Sequence, residues 1–144
     1  MQLDDLYRRV IMDHYKNQRN RGKFEDGTVT VDLNNPTCGD KISLQLKVDN
    51  GIVQDAKYTG EGCSISMSSA SMMTEAVKGK TVEEAQDLAS RFSSLMQGED
   101  VHFDDYEDIE ALSGVNKFPA RIKCATLAWN ALRKGIDEDQ HNHK

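Results

Sequence analysis

The sequence predicts an α+β chain: a three-stranded antiparallel meander with one helix before it and the remaining helices after it. Three observations carry this. Apolar residues recur at helical spacing over residues 3–16. Three later segments alternate apolar and polar residues with the two-residue period of half-buried strands. Beyond residue 64 the pattern turns helical again, punctuated by glycines and capping signals.

Leu3, Leu6, Tyr7, Val10, Ile11 and His14 mark one face of the first helix. Val29, Val31 and Leu33 alternate with polar neighbours, as do Ile42, Leu44, Leu46 and Val48. A third strand covers about 52–60, with Ile52, Ala56 and Tyr58 inward. Asp49-Asn50-Gly51 joins the last two strands. A two-residue Asn-Gly turn would pair Val48 with Val53, but also Leu46 with Asp55 and Leu44 with Lys57. Cross-strand partners share a face, so that register is poor. A three-residue loop with Gly51 in the left-handed region pairs Val48 with Ile52, Leu44 with Ala56 and Ile42 with Tyr58, and is the one expected.

A Ser- and Met-rich helix follows over about 64–78 and stops near Gly79, with Met67, Met72 and Met73 as core filler. Thr81-Val82-Glu83-Glu84 reads as a capping box that opens a helix to about 97, ended by Gly98. Residues 99–117 form an acidic insertion with a short turn at about 109–112. Pro119 suits the first turn of a last helix and Gly135 its end. Ala125, Ala128, Trp129 and Leu132 supply its buried stripe. The expected organisation is one domain over 1–135, interrupted by the insertion, and a flexible polar tail over 136–144.

Composition narrows the function. The 144 residues are 38% hydrophobic and 6% aromatic, enough for one aliphatic core. Eighteen basic residues against 24 acidic ones give a formal charge of -6. That balance disfavours nucleic acid, which needs a basic stripe. No apolar run approaches the ~20 residues of a membrane span. Met1-Gln2-Leu3-Asp4-Asp5 lacks the basic start and apolar stretch of a signal peptide, so the expected location is cytoplasmic. Thiols stay reduced there. The three cysteines contain no Cys-x-x-Cys, and a disulfide framework is not expected. Each thiol is a core residue, a metal ligand or a nucleophile.

Strand geometry brings two of them together. Cys38 and Asp40 lie in the loop between strands one and two, and Cys63 comes just after strand three returns. A meander places that loop and that return at one sheet edge, in either register. Thr37-Cys38-Gly39-Asp40 sets a thiolate and a carboxylate two residues apart, with glycine freeing the backbone between them. Gly60-Glu61-Gly62-Cys63 is a flexible approach to a helix N-terminus, which favours anions, thiolates among them. Cys124 lies on the second turn of the last helix, with Arg121 on the same face. Nothing in the pattern alone brings that helix to the sheet edge. Lone cysteines are more often buried hydrophobes, and Asp after Gly is commonly a turn residue. It is the shared edge that moves Cys38, Asp40 and Cys63 away from those readings. Three thiolates and one carboxylate make a four-coordinate set suited to zinc, or to the edge of an iron–sulfur cluster. Arg121, Lys123 and Lys41 would soften its negative charge. The carboxylate, the harder ligand, marks a position that can open.

Three segments carry a resemblance. Asn35-Pro36-Thr37-Cys38-Gly39-Asp40, Gly60-Glu61-Gly62-Cys63-Ser64-Ile65-Ser66 and Phe118-Pro119-Ala120-Arg121-Ile122-Lys123-Cys124 resemble the IscU-like (NifU N-terminal-like) iron–sulfur cluster assembly proteins, and most closely their SufU branch. The likeness runs from Tyr7 and Met12-Asp13-His14-Tyr15 through Trp129. It implies an α+β fold with helices packed on a three-stranded antiparallel sheet. It also implies a metal held by Cys38, Asp40, Cys63 and Cys124, and a pyridoxal-phosphate cysteine desulfurase (SufS-like) as partner, with Cys38 as sulfur acceptor.

Three departures from the scaffold branch favour the SufU side. Lys123 stands where that branch has histidine, the insertion at about 99–117 is extra, and Phe118–Lys123 lacks the Leu-Pro-Pro-Val-Lys motif that engages an Hsp70-type chaperone. The expectation is therefore zinc-dependent, sulfurtransferase-like persulfide transfer onto Cys38. Asp40 would set how readily the site opens, and Arg121 would steady the freed thiolate. The alternative is a scaffold that assembles a cluster, or binds iron, and hands the cluster to apoproteins or to a downstream scaffold. A purely structural zinc module is disfavoured by Asp40, since closed sites use Cys and His.

Overall fold

Alternating apolar residues give the sheet one buried face, and that face decides how the strands pair. The computed structural model describes residues 3–23, 29–35, 39–99, 109, 112, 114–115 and 118–142. Helix α1 (Leu3–Lys16) precedes strands β1 (Val29–Asn35), β2 (Asp40–Asp49) and β3 (Ile52–Glu61), which form an antiparallel sheet in the order β1-β2-β3. Helices α2 (Ser64–Val77), α3 (Val82–Met96) and α4 (Pro119–Asn142) follow. The α+β fold with helices against a three-stranded antiparallel sheet is as expected.

Neither expected hairpin register is the observed one. Val48 pairs with Val53 across a two-residue Asn50-Gly51 turn, both residues having positive φ (54° and 74°). The three-residue loop is thus corrected to the mirror-image turn that suits twisted hairpins. The pairing then shifts between Lys47 and Val48, so that Leu46 meets Ala56 and Leu44 meets Tyr58. Gln54 is the extra residue of a bulge. That bulge removes the apolar-against-charged clash which had argued against the tight turn. It also makes Val53 rather than Ile52 the inward residue at the strand start.

Helix α2 runs through the middle of the molecule, and residues 66–74 are all buried. A helix buried all round must satisfy its polar side chains internally, and its serines do so. Ser68 Oγ donates to the Ile11 carbonyl of α1 (2.6 Å), and Ser69 Oγ donates to the Ala125 carbonyl of α4 (2.6 Å). Ser71 Oγ hydrogen-bonds His14 Nδ1 (2.9 Å), so His14, on the inward face of α1 with Ile11, is a buried tie between helices. Met67, Met72 and Met73 fill the core as expected. The capping box at Thr81 is present in both halves, Glu84 N–H to Thr81 Oγ1 and Thr81 N–H to the Glu84 carboxylate.

The last helix differs most from expectation. It passes through Gly135 and continues to Asn142, with Ile136 fully buried. Gly135 is not a stop but a contact. A Cβ there would lie 2.9 Å from Leu46 Cδ1 and 3.3 Å from Val31 Cγ2, so the missing side chain lets α4 approach the sheet. The same helix stacks Trp129 on Phe92 of α3 (centroids 4.7 Å apart) and donates Trp129 Nε1–H to Ser69 Oγ (3.1 Å). Within the insertion, Ile109, Leu112 and Val115 are buried in the core. The rest of residues 99–117, apart from Glu99 and Gly114, lies outside the described residues.

Residues 20–22 seal the outer edge of β3. Gly22 N–H donates to the Tyr58 carbonyl (2.9 Å), and Tyr58 N–H donates to the Asn20 carbonyl (3.1 Å). The Tyr58 hydroxyl donates to Gln18 Oε1 (3.0 Å), and burial pushes its pKa up to about 12.

Two outcomes are expected. Gly135→Val should lower the free energy of unfolding by about 2 kcal/mol through overpacking against Val31 and Leu46, read from urea denaturation; an unchanged midpoint contradicts the contact. The folded chain holds the Tyr58 proton where the unfolded chain has released it. That stability is intact below pH 10, the ordinary tyrosine value, and is lost as pH rises from there toward about 12. Melting curves over that range should fall less steeply for Tyr58→Phe.

Candidate metal centre

Asp40 opens β2 at the end of its pairing with β1, where it faces Asn35. Its carboxylate is fully buried. Oδ1 accepts the backbone N–H of Cys63 (3.0 Å), which joins the start of β2 to the N-terminus of α2. Oδ2 has no hydrogen-bond partner among the described residues. Leaving a buried carboxylate oxygen unpaired is costly, and such an orphan needs a reason.

The neighbours supply one. Cys63 is the N-cap of α2 in extended conformation, and its side chain makes no cap hydrogen bond. Cys124 is fully buried on the second turn of α4. One carboxylate oxygen of Asp40 and the two sulfurs lie within 4.8 Å of one another. Two soft thiol donors and one hard oxygen converging on a buried spot fit a zinc-type ion. An ion there would also offer a partner to Asp40 Oδ2, which has none among the described residues.

The glycines around the cluster have steric causes. At Gly62 a Cβ would collide with the Asp40 carboxyl group, and at Gly60 with the Lys41 carbonyl oxygen. Arg21 holds this arm from outside, its guanidinium donating to the Gly60 carbonyl (2.6 Å). Gly39, at φ 74°, donates its N–H to the Asn35 carbonyl (2.9 Å) and so closes the link between β1 and β2.

Of the five residues expected at the site, Asp40, Cys63 and Cys124 are brought together. Cys38 lies outside the described residues, although its neighbours Gly39 and Asp40 fix where the chain re-enters the sheet. Arg121 is solvent-exposed one turn before Cys124, and its backbone N–H donates to the Phe118 carbonyl (2.8 Å). Lys41 and Lys123 are exposed as well. Cys124, which strand geometry could not place, arrives because Trp129 and Gly135 lay α4 against α2 and the sheet. Asn35, the cross-strand neighbour of Asp40, is also buried at this edge. It continues the inward parity of Val29, Val31 and Leu33, so a buried polar side chain at the sheet edge was legible.

This donor cluster on a meander-and-helix fold defines a class. The chain belongs to the NifU-like N terminal domain family, which it matches over residues 6–143. It is 60% identical to the zinc-dependent sulfurtransferase SufU of Bacillus subtilis, over 96% of this chain and 94% of that one. It is 50% identical to the iron–sulfur cluster assembly scaffold protein IscU of Streptococcus pyogenes, over 93% and 84%. Among solved structures, one described as a SUF-system iron–sulfur cluster assembly scaffold protein, from Fervidobacterium islandicum, superposes with a TM-score of 0.85 at 30% identity. That match covers 92% of this chain and 97% of that one. The resemblance to the SufU branch is thus borne out. Among the described residues, no helix is long and apolar enough to cross a membrane.

Gly62→Ala should push the Asp40 carboxyl out of place and weaken cobalt(II) binding at least roughly tenfold, the scale of losses around metal ligands. Titration of the metal-free protein checks this; wild-type affinity in the variant contradicts the packing of Gly62 on Asp40.

Proposed function

We propose that the chain is a zinc-dependent sulfur acceptor of iron–sulfur cluster assembly, taking persulfide sulfur from a cysteine desulfurase onto Cys38. The observation that carries this is the buried Asp40 beside two thiols, one oxygen bonded to Cys63 and the other without a partner among the described residues. It occurs in a chain 60% identical to a protein named as a zinc-dependent sulfurtransferase.

Asp40, Cys63 and Cys124 would hold zinc, with Cys38 as the fourth ligand. When bound, the metal would keep coordinating thiols deprotonated at neutral pH. Cys38 has the role of nucleophile. Its thiolate attacks the outer sulfur of the desulfurase persulfide. A new S–S bond forms at Cys38, the old one breaks, and the desulfurase cysteine leaves as thiolate. Coordination would withdraw charge from the Cys38 sulfur and blunt its attack, so Cys38 would be the ligand that is released when the desulfurase docks. Asp40, fixed by the Cys63 N–H, and the buried Cys124 keep the remaining donors in position. Arg121, exposed on the turn before Cys124, offers a positive charge to the freed thiolate or the persulfide. The partner is a pyridoxal-phosphate desulfurase of the SufS kind, and the sulfur passes on to a downstream scaffold or apoproteins in the cytoplasm.

The 50% identity to a protein named as a scaffold favours a second reading. The same thiolates and carboxylate could hold an iron–sulfur cluster. Metal analysis of the purified protein separates the two: stoichiometric zinc and no visible absorption support transfer, whereas a coloured, transferable cluster supports the scaffold.

Wild-type protein should accelerate desulfurase turnover several-fold and gain a sulfur atom on Cys38 by mass spectrometry. Cys38→Ala should do neither. Undiminished stimulation and sulfur uptake by Cys38→Ala would sink the mechanism.

A further inference from the structure

We propose that Asn35 is a positioning residue of the donor cluster: its side-chain amide donates to the Cys124 sulfur while its backbone holds the strand link that carries Cys38 and Asp40. The inference rests on the metal-binding reading above and adds a residue to it.

Two backbone contacts and one side-chain contact converge on this residue. Asn35 is the last residue of β1 and the cross-strand partner of Asp40. Its carbonyl accepts the Gly39 N–H (2.9 Å), and Cys38 falls in sequence within the link so closed. Its Nδ2 lies 4.0 Å from Cys124 Sγ, the reach of an N–H···S contact. The residue is 7% exposed, so the amide has little access to water and faces the site. A strand of valines and leucines has no packing reason to end inward on an amide. A buried amide instead needs polar partners, and here a thiol sulfur is one.

The chemistry gives the contact a purpose. Thiolates and a carboxylate crowd negative charge into a buried spot, and the Asp40 carboxylate already takes the Cys63 N–H. An amide N–H aimed at Cys124 draws charge from that sulfur without adding a competing cation. Groups that hydrogen-bond metal ligands orient them and tune the metal, and their loss costs roughly 10- to 100-fold in affinity. The backbone contribution of Asn35 survives any side-chain substitution, so the two roles separate experimentally.

The test uses the full chain in wild-type, Asn35→Ala and Asn35→Asp forms. Asparagine and aspartate have nearly the same shape, but aspartate has no N–H and brings a negative charge. Zinc retention against a competing chelator is measured, together with the thiolate-to-cobalt charge-transfer band of the cobalt(II)-loaded protein. Retention should fall in the order Asn, Ala, Asp, with roughly a tenfold loss already in the alanine variant. The band should move to lower energy in Asn35→Ala, because a thiolate without its hydrogen bond gives up charge more readily. A shape-filling role reverses the order, with the isosteric aspartate near wild type and alanine worst. That reversal, or an unmoved band, overturns the proposal. If wild-type protein binds neither metal, both this proposal and the metal reading fall. If wild type binds both and the variants match it, only the role of Asn35 is lost.

Discussion

The bond from the Cys63 N–H to Asp40 Oδ1 is the constraint around which the site is arranged. It ties the first residue of β2 to the first turn of α2 across a buried gap, and it can form only because Gly62 carries no side chain. A hydrogen bond to a buried ionised carboxylate is worth on the order of 1.5–3 kcal/mol. Its geometric effect is larger than its energy. It fixes one carboxylate oxygen, leaves the other without a partner among the described residues, and holds the carboxyl group beside the two cysteine sulfurs. The sheet bulge at Gln54 serves the same end indirectly. By restoring apolar pairing along β2 and β3, it sets where β3 stops and the glycine arm to Cys63 begins.

Helix α2 transmits that arrangement to the rest of the molecule. Its N-terminus carries Cys63, and its serines bond α1 through Ile11 and His14 and α4 through Ala125. Cys124 is the residue before Ala125, so the Ser69 bond positions a thiol as well as a helix. Site and core are therefore not separable here. A helix buried on all sides and dotted with small hydroxyls lets three helices and a sheet edge meet with their backbone carbonyls satisfied.

Much of this was legible in the sequence. The strands, the capping box at Thr81 and the convergence of Asp40 and Cys63 followed from periodicity and local chemistry, because both ends of a meander hairpin must return to one edge. The turn at Asn50-Gly51 was misjudged because pairing rules were applied without a bulge, and a single inserted residue changes the face of every later pair. Glycine is a poor helix residue, which favours reading Gly135 as a helix end. A glycine on the buried stripe of Trp129, Leu132 and Ile136 can equally be a close approach, and tertiary packing decided. Asn35 shows the converse: its inward parity was visible, but what it faced depended on α4, whose position no local pattern fixes.

The central claim is that Asp40, Cys63 and Cys124, with Cys38, hold one zinc ion of mixed sulfur and oxygen ligation. X-ray absorption at the zinc edge of the purified protein tests it most directly. The expected first shell is three sulfurs at about 2.3 Å and one oxygen at about 2.0–2.2 Å. A shell of nitrogen and oxygen alone, or four sulfurs without oxygen, would contradict it.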